Sequence, residues 1–240
     1  LAAGTEATDA VNKGQLDAVA ATAEETQQWF KASGGPDGDA VGSYVEGDYA
    51  LAAGEAANAF GDGASALGSG ALAAGRYASA SGFNASATAD SATAIGGSLY
   101  YEDAEGNVLL DQATEASGTG ATALGAGAVA SGVFSTASGA AATSSGLQSA
   151  AFGYSAEAGS DYSTAVGAFS AASGARTVAL GYGAEASADY AAALGWGSVA
   201  SANYALASGY NAEASGLNST ALGASARASA VQSTAVGQLA

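Results

Sequence analysis

The stretch TVALGYGAEASADY, residues 177–190, runs directly into AAALGWGSVASANY, residues 191–204, and then ALASGYNAEASGLN, residues 205–218. Aligned, the three share a glycine (Gly181, Gly195, Gly209) and an alanine two places before it (Ala179, Ala193, Ala207). The same pair recurs every 14 residues from Gly54 to Gly96 and from Gly125 to Gly237, thirteen glycines in all. A strict period of this size means that each unit is one coil of a solenoid stacked on its neighbours. Function is then to be sought on a stacked surface rather than in a pocket.

Within a unit, small residues stand two places before the repeated glycine, three after it and five after it, as Ala179, Ala184 and Ala186 do around Gly181. Glycine or alanine returns seven places after, as at Gly132, Gly146, Gly174 and Gly216. Small residues at alternate positions predict strands with one face pressed into a narrow interior. Each unit is expected to hold two short strands, with turns at the glycine and seven residues later. The expected class is mainly β, a parallel β-roll of 14-residue repeats.

The outward positions of the two strands differ. The second strand carries Glu157, Glu185, Glu213 and Arg227, a solvated face. The first carries, one place before the glycine, Leu67, Ile95, Leu124, Phe152, Val166, Leu180, Leu194, Leu222 and Val236, broken by Ser81, Ser138 and Ser208. At ~4.8 Å per coil this apolar column runs for several nanometres, more than monomers leave in water. An alanine interior meanwhile buries little apolar area at ~25 cal/mol per Å². Both points predict an obligate oligomer with closed rotational symmetry and the apolar column at its interface.

The 240 residues include no His, no Cys and no Met. The commonest general base, metal ligands and thiol nucleophile are therefore missing, and neither catalysis nor a cofactor is expected. Asp37-Gly38-Asp39 with Asp48 falls short of the ligand set of a calcium loop, so no metal site is assigned. The formal charge of −17, from 22 acidic against 5 basic residues, disfavours nucleic acid and anionic lipid as partners. No apolar run approaches the ~18 residues of a membrane span.

Aromatic residues form two columns. Tyr154, Tyr182, Trp196 and Tyr210 stand one place after the glycine; Tyr162, Tyr190 and Tyr204, with Tyr49, Tyr77 and Phe134, stand five before it. Such rings anchor protein contacts, or else stack along the roll or on a neighbouring chain. An acidic column, Asp48, Asp62, Asp90, Asp161 and Asp189, reads as a solvated face or a contact for a basic ligand. The period breaks between Gly96 and Gly125, where Leu99-Tyr100-Tyr101 and Val108-Leu109-Leu110 flank Glu105-Gly106-Asn107. That pattern predicts a β-hairpin insert at about 97–117, with Tyr100 and Tyr101 as candidate contacts.

Ser163-Thr-Ala-Val-Gly167, Thr177-Val-Ala-Leu-Gly181 and Ser219-Thr-Ala-Leu-Gly223 resemble the head repeats of YadA-like trimeric autotransporter adhesins. Thr8-Asp-Ala-Val-Asn-Lys-Gly-Gln-Leu16 resembles the neck motif that leads from such a head into a coiled coil. Leu16, Val19, Ala23, Thr26 and Phe30 then follow at spacings of three and four, a heptad seam with Leu16, Val19 and Phe30 as its large interface residues. The resemblance implies a left-handed roll, a homotrimer, and display at the bacterial cell surface beyond the outer membrane. It also implies attachment to host matrix, host cells or other bacteria. The expected segments are a neck at 1–17, a coiled-coil helix at 18–33, a transition loop at 34–47 and the roll at 48–240. The start at Leu1 and the stop in mid-repeat at Ala240 point to a piece of a longer protein.

Competing readings are a purely structural spacer and an ice-binding solenoid built on Thr122, Thr136, Thr164, Thr220 and Thr234. The threonines share a strand face with the large apolar residues, which assembly would bury. A hexapeptide-repeat acyltransferase would need a six-residue period and a catalytic His, and the chain has neither.

Overall fold

The computed structural model describes Thr5, residues 11–29 and residues 41–240. The chain divides into two compact units, 1–40 and 41–240. Among its described residues the first contains one helix, Lys13–Trp29. It begins inside the segment assigned to the neck, five residues before the expected start at 18, because its cap lies further upstream. The Asn12 side-chain oxygen accepts the Gln15 backbone N–H at 3.0 Å, and the Gln15 side-chain oxygen accepts the Asn12 N–H at 3.1 Å. This reciprocal box satisfies two donors that a helix N-terminus otherwise leaves open. Leu16 and Val19 are exposed along the helix. Phe30, the Gly34–Asp39 loop and the side chains of Ala23 and Thr26 lie outside the described residues.

The second unit is a parallel roll of two sheets, each with 13 strands. One sheet is made of three-residue strands in a 14-residue register: Thr164–Val166 pairs with Val178–Leu180, which pairs with Ala192–Leu194. The other is made of two-residue strands such as Glu157–Ala158, Ala171–Ala172 and Glu185–Ala186. The turns fall where the small residues allow them, at the repeated glycine and seven residues later. The roll starts earlier than expected, since Tyr44–Val45 already pairs with Asn58–Ala59. Alanine stands at position 40, the place of the repeated glycine, and hides that coil from a search for the period.

The interruption costs the stack no coil. Ser86–Ala87 pairs directly with Glu115–Ala116, and Thr93–Ile95 with Thr122–Leu124. The additional residues leave the stack as an antiparallel hairpin of Leu99–Glu102 and Val108–Gln112. Its return is fastened by Thr114, which is buried and whose hydroxyl lies 2.9 Å from Gly97 O and 2.7 Å from Gly125 O. The hydroxyl thus ties the last residues before the excursion to the coil after it. In the hairpin turn, the Asp103 carboxyl is held below the usual carboxylate range by the Asn107 side-chain amide and then by backbone N–H groups.

Among the described residues, no side chain larger than threonine is fully buried. Four columns point inward, not three. Besides the positions read from the sequence, the place four before the glycine is closed to solvent, as at Ser149, Ser163 and Thr177. Their hydroxyls donate to carbonyls three residues back, at 2.8 Å (Gly146 O), 2.6 Å (Ser160 O) and 2.7 Å (Gly174 O). A buried hydroxyl that finds an acceptor within its own turn avoids the desolvation penalty; in the same column the Ser135 and Ser219 hydroxyls are buried without a partner among the described residues.

With so little apolar volume inside, the backbone ladder holds the roll. Turn amides join in: Gly195 N–H donates to Leu180 O at 2.8 Å and Tyr190 N–H to Ala175 O at 2.9 Å. The aspartates close a gap in this network. Four of the five accept the backbone N–H of the residue 14 places earlier: Asp62 from Asp48 at 3.0 Å, Asp90 from Arg76 at 3.0 Å, Asp161 from Leu147 at 2.9 Å and Asp189 from Ala175 at 3.0 Å. The acidic column is therefore a row of clips between coils. The Asp90 carboxyl also takes the Arg76 guanidinium, whose hydrogen bond is the main cause of its lowered pKa. Asp189→Ala should cost ~1 kcal/mol in a urea melt, while Asp189→Asn, which keeps an acceptor, should cost clearly less. Equal losses would show that charge, not the clip, matters at this column.

Candidate functional site

The outward faces of the two sheets differ: the short-strand sheet holds the charged residues, among which Leu72, Val129 and Val199 also stand. On the short-strand sheet, Glu213 pairs in register with Arg227 and the side chains meet at 3.1 Å; Glu157 and Glu185 stand further along the same column. On the long-strand sheet, the column before the glycine runs Phe152, Val166, Leu180, Leu194 in unbroken register, and Leu222 pairs with Val236. Ile95 and Leu124 pair across the hairpin insert. In the single chain Leu67, Ile95, Phe152, Leu180, Leu222 and Val236 are exposed, from 40 % at Leu67 to 65 % at Val236. Leu124, Val166 and Leu194 are half-buried.

Strand parity adds a second outward column, two residues earlier. It contains Thr122, Thr136, Thr164, Thr220 and Thr234, and also Leu51, Val178 and Leu206. Those three apolar residues widen the face and escaped the sequence reading, although the i, i+2 rule for strands identifies them. Thirteen strands at ~4.8 Å make this face roughly 58 Å long.

The ends of the long strands carry the aromatic residues. At the leading end, five before the glycine, Tyr190 and Tyr204 stack with centroids 4.9 Å apart and planes 7° from parallel. Below them the Arg176 guanidinium sits between two rings, 5.3 Å from the Tyr162 centroid and 5.4 Å from that of Tyr190. A cation held between two π-faces continues the column where a ring is missing. At the trailing end, Tyr154, Phe169, Tyr182, Trp196 and Tyr210 form one ladder. Its lower contacts are edge-to-face at 5.2 and 5.6 Å, and its upper ones are stacked at 5.9 and 4.9 Å. Phe169 is two places after its glycine rather than one, which is why a fixed column missed it. All of these rings remain about half exposed.

Tyr100 and Tyr101 stand on the hairpin, away from both ladders in sequence and both exposed; the Tyr100 hydroxyl donates to Glu102 at 3.0 Å. Among the described residues no cluster of acidic side chains has the arrangement of a metal site, and no helix is long and apolar enough to cross a membrane.

The YadA head domain repeat (2 copies) matches residues 46–71, 73–98, 116–142, 144–170, 172–198, 186–212 and 214–240. The matches skip the hairpin and otherwise follow the roll. Among solved structures, the collagen-binding domain of the Yersinia adhesin YadA is similar, with 22% identity over 81% of this chain and 69% of that one, at a TM-score of 0.27. None of the curated proteins matches.

Proposed function

The chain belongs to the YadA head family, and from that premise we propose that it works as a homotrimer, its three long-strand sheets facing a common axis parallel to the stack. The observation that carries this reading is the contrast between the two outer faces. One carries the charged residues Glu115, Glu157, Glu185, Glu213 and Arg227; the other is a face roughly 58 Å long with a large apolar side chain on eleven of its thirteen strands, interrupted at Ser79–Ser81 and Thr136–Ser138, flanking an interior that has no large side chain to bury. Contiguous exposed apolar patches beyond a few hundred Å² mark interaction surfaces. The hydrophobic core that the roll lacks within itself is formed between chains.

The assembled head is a non-catalytic adhesive module at the bacterial cell surface, and its ligands are host matrix or host cell-surface proteins. Three chains with near-identical coils present each contact many times, so weak contacts combine into firm attachment. The hairpin tyrosines Tyr100 and Tyr101 leave the coil stack and are assigned to ligand contact, together with the charged outer sheet.

Two measurements test this. Sedimentation equilibrium of residues 1–240 should give three chain masses at micromolar concentration; a single chain mass would refute the assembly. The trimer should then bind at least one member of a panel of immobilised matrix proteins, collagens included, or intact host cells. Tyr100→Ser with Tyr101→Ser should reduce that binding about tenfold or more without changing the sedimentation. A trimer that binds none of the panel would refute the adhesive role.

A further inference from the structure

The two aromatic ladders have a feature that contacts within one chain leave unexplained. They lie at opposite ends of the same strands: Tyr190 and Trp196 bracket Ala192–Leu194, and Tyr204 and Tyr210 bracket Leu206–Ser208. Every ring contact within a ladder joins neighbouring or successive coils at one end of the strands, never the two ends of one strand. Yet the ends tend to agree. Of the thirteen coils built on the repeated glycine, four carry a ring at both ends and five at neither. Of the remaining four, the coil of Gly181 sets Arg176 opposite Tyr182. The coil of Gly82 has Tyr77 and Phe83, both exposed and neither in a ring contact among the described residues, so stacking along the chain does not account for them.

The leading rings are also costly. Tyr77, Tyr162, Tyr190 and Tyr204 have φ between 58° and 60°, a left-handed conformation that a bulky side chain seldom adopts. Gly63 and Gly120 occupy the same place in other coils, where glycine adopts this conformation at no steric cost. Ser91, Gln148, Arg176, Asn218 and Gln232 share this conformation in their own coils, so the turn imposes it on any occupant; what calls for a contact is the agreement of the rings at the two ends.

Symmetry supplies one. All strands of the long sheet are parallel, so every coil has a leading and a trailing end on the same sides. When such sheets face a common axis with closed rotational symmetry, the strands run round the axis in one sense. The trailing end of each chain then meets the leading end of the next at the same height, a heterologous contact repeated round the ring. We propose that the trailing ladder of one chain packs against the leading ladder of its neighbour, so that the rings form three seams along the edges of the trimer. This rests on the trimeric reading above and gives its edges a chemistry. It removes the ladder tyrosines from ligand contact, the role their exposure suggests in a single chain. Where the rings stack, at Tyr182–Trp196–Tyr210 and Tyr190–Tyr204, their faces are already used and their edges are left for the neighbouring chain, and edge-to-face packing uses them well.

Because the chain has no cysteine, cross-linking reads the geometry cleanly. Asn218 and Ala224 occupy the two ends of a coil that has no ring at either. Asn218→Cys combined with Ala224→Cys, treated with a short bis-maleimide, should yield a covalent species of three chains on a denaturing gel. Each single variant should yield none, because like ends do not meet. In parallel, Tyr204→Ser with Tyr210→Ser should weaken association about a hundredfold, as all three seams lose a pair of rings. A sedimenting trimer that gives no three-chain product, that cross-links through a single variant, or that loses no stability without the rings would overturn the seams and leave the trimer standing. A wild-type chain that sediments alone would overturn the trimer itself.

Discussion

Leu180→Asp together with Leu194→Asp should abolish assembly. The two residues are neighbours in register on the apolar face, and in the trimer each substitution places three carboxylates near the axis. A buried carboxylate without a partner is costly, and breaking burial of this kind typically loses 3–5 kcal/mol per site. Each lost leucine also gives up roughly 1.5–3 kcal/mol of burial. Summed over three chains, these losses exceed what an interface of this kind can absorb. Sedimentation should show single chains or aggregates, and the cooperative thermal transition of the wild type should vanish or fall steeply. Ala171→Lys is the matched control. It puts a charge on the opposite sheet between Glu157 and Glu185, where the register offers it two acidic neighbours. That variant should remain trimeric. If both variants sediment as trimers, the apolar face is covered in some other way.

The difference between these two faces was legible in the sequence because a stacked coil repeats its constraints. A glycine forced by a turn and an alanine forced by a narrow interior each recur thirteen times, and a large apolar residue facing out recurs nine times, so chance agreement averages away. Features carried by a hydrogen bond between coils were not legible. Asp189 looks like a solvated carboxylate in the sequence, and only the stack shows the Ala175 N–H beneath it. The column of Ser149, Ser163 and Thr177 looks polar and therefore outward; the carbonyl that each hydroxyl reaches three residues back makes it an inward column. Single departures from the period misled in the same way. Alanine at position 40 concealed the first coil, and Phe169 stands one place off its column while still completing the trailing ladder. Arg176 belongs to the leading column by geometry although it has no ring. The hairpin was readable because it follows local rules of strand and turn; the Thr114 hydroxyl at its return was not.

Gly181→Ala should be among the most damaging single substitutions in the roll, even though it adds only one methyl group. Gly181 has φ +134°, a region essentially closed to residues with a Cβ, at a cost of order 1–3 kcal/mol. An added Cβ would also lie 2.5 Å from the Gly195 carbonyl oxygen and 2.7 Å from its carbon. Both are backbone atoms of the next coil, so no rotamer change relieves the contact; the coils must separate, and ladder bonds such as Gly195 N–H to Leu180 O are strained. We expect ~3–5 kcal/mol of destabilisation in a denaturant melt. Because each coil in a stack leans only on its neighbours, the break should be local, with new proteolytic cleavage between residues 181 and 195. Gly174 provides the comparison. Its added Cβ would meet the Ala188 carbonyl group at 2.4 Å, nominally as severe a clash, but its φ is not in the left-handed region. Moreover Ala188, Ala202 and Ala230 already stand in the same column, which shows that this turn opens to admit a methyl group. Gly174→Ala should therefore cost clearly less than Gly181→Ala. Equal costs would mean that crowding between coils, rather than backbone conformation, fixes the glycine at the start of every unit.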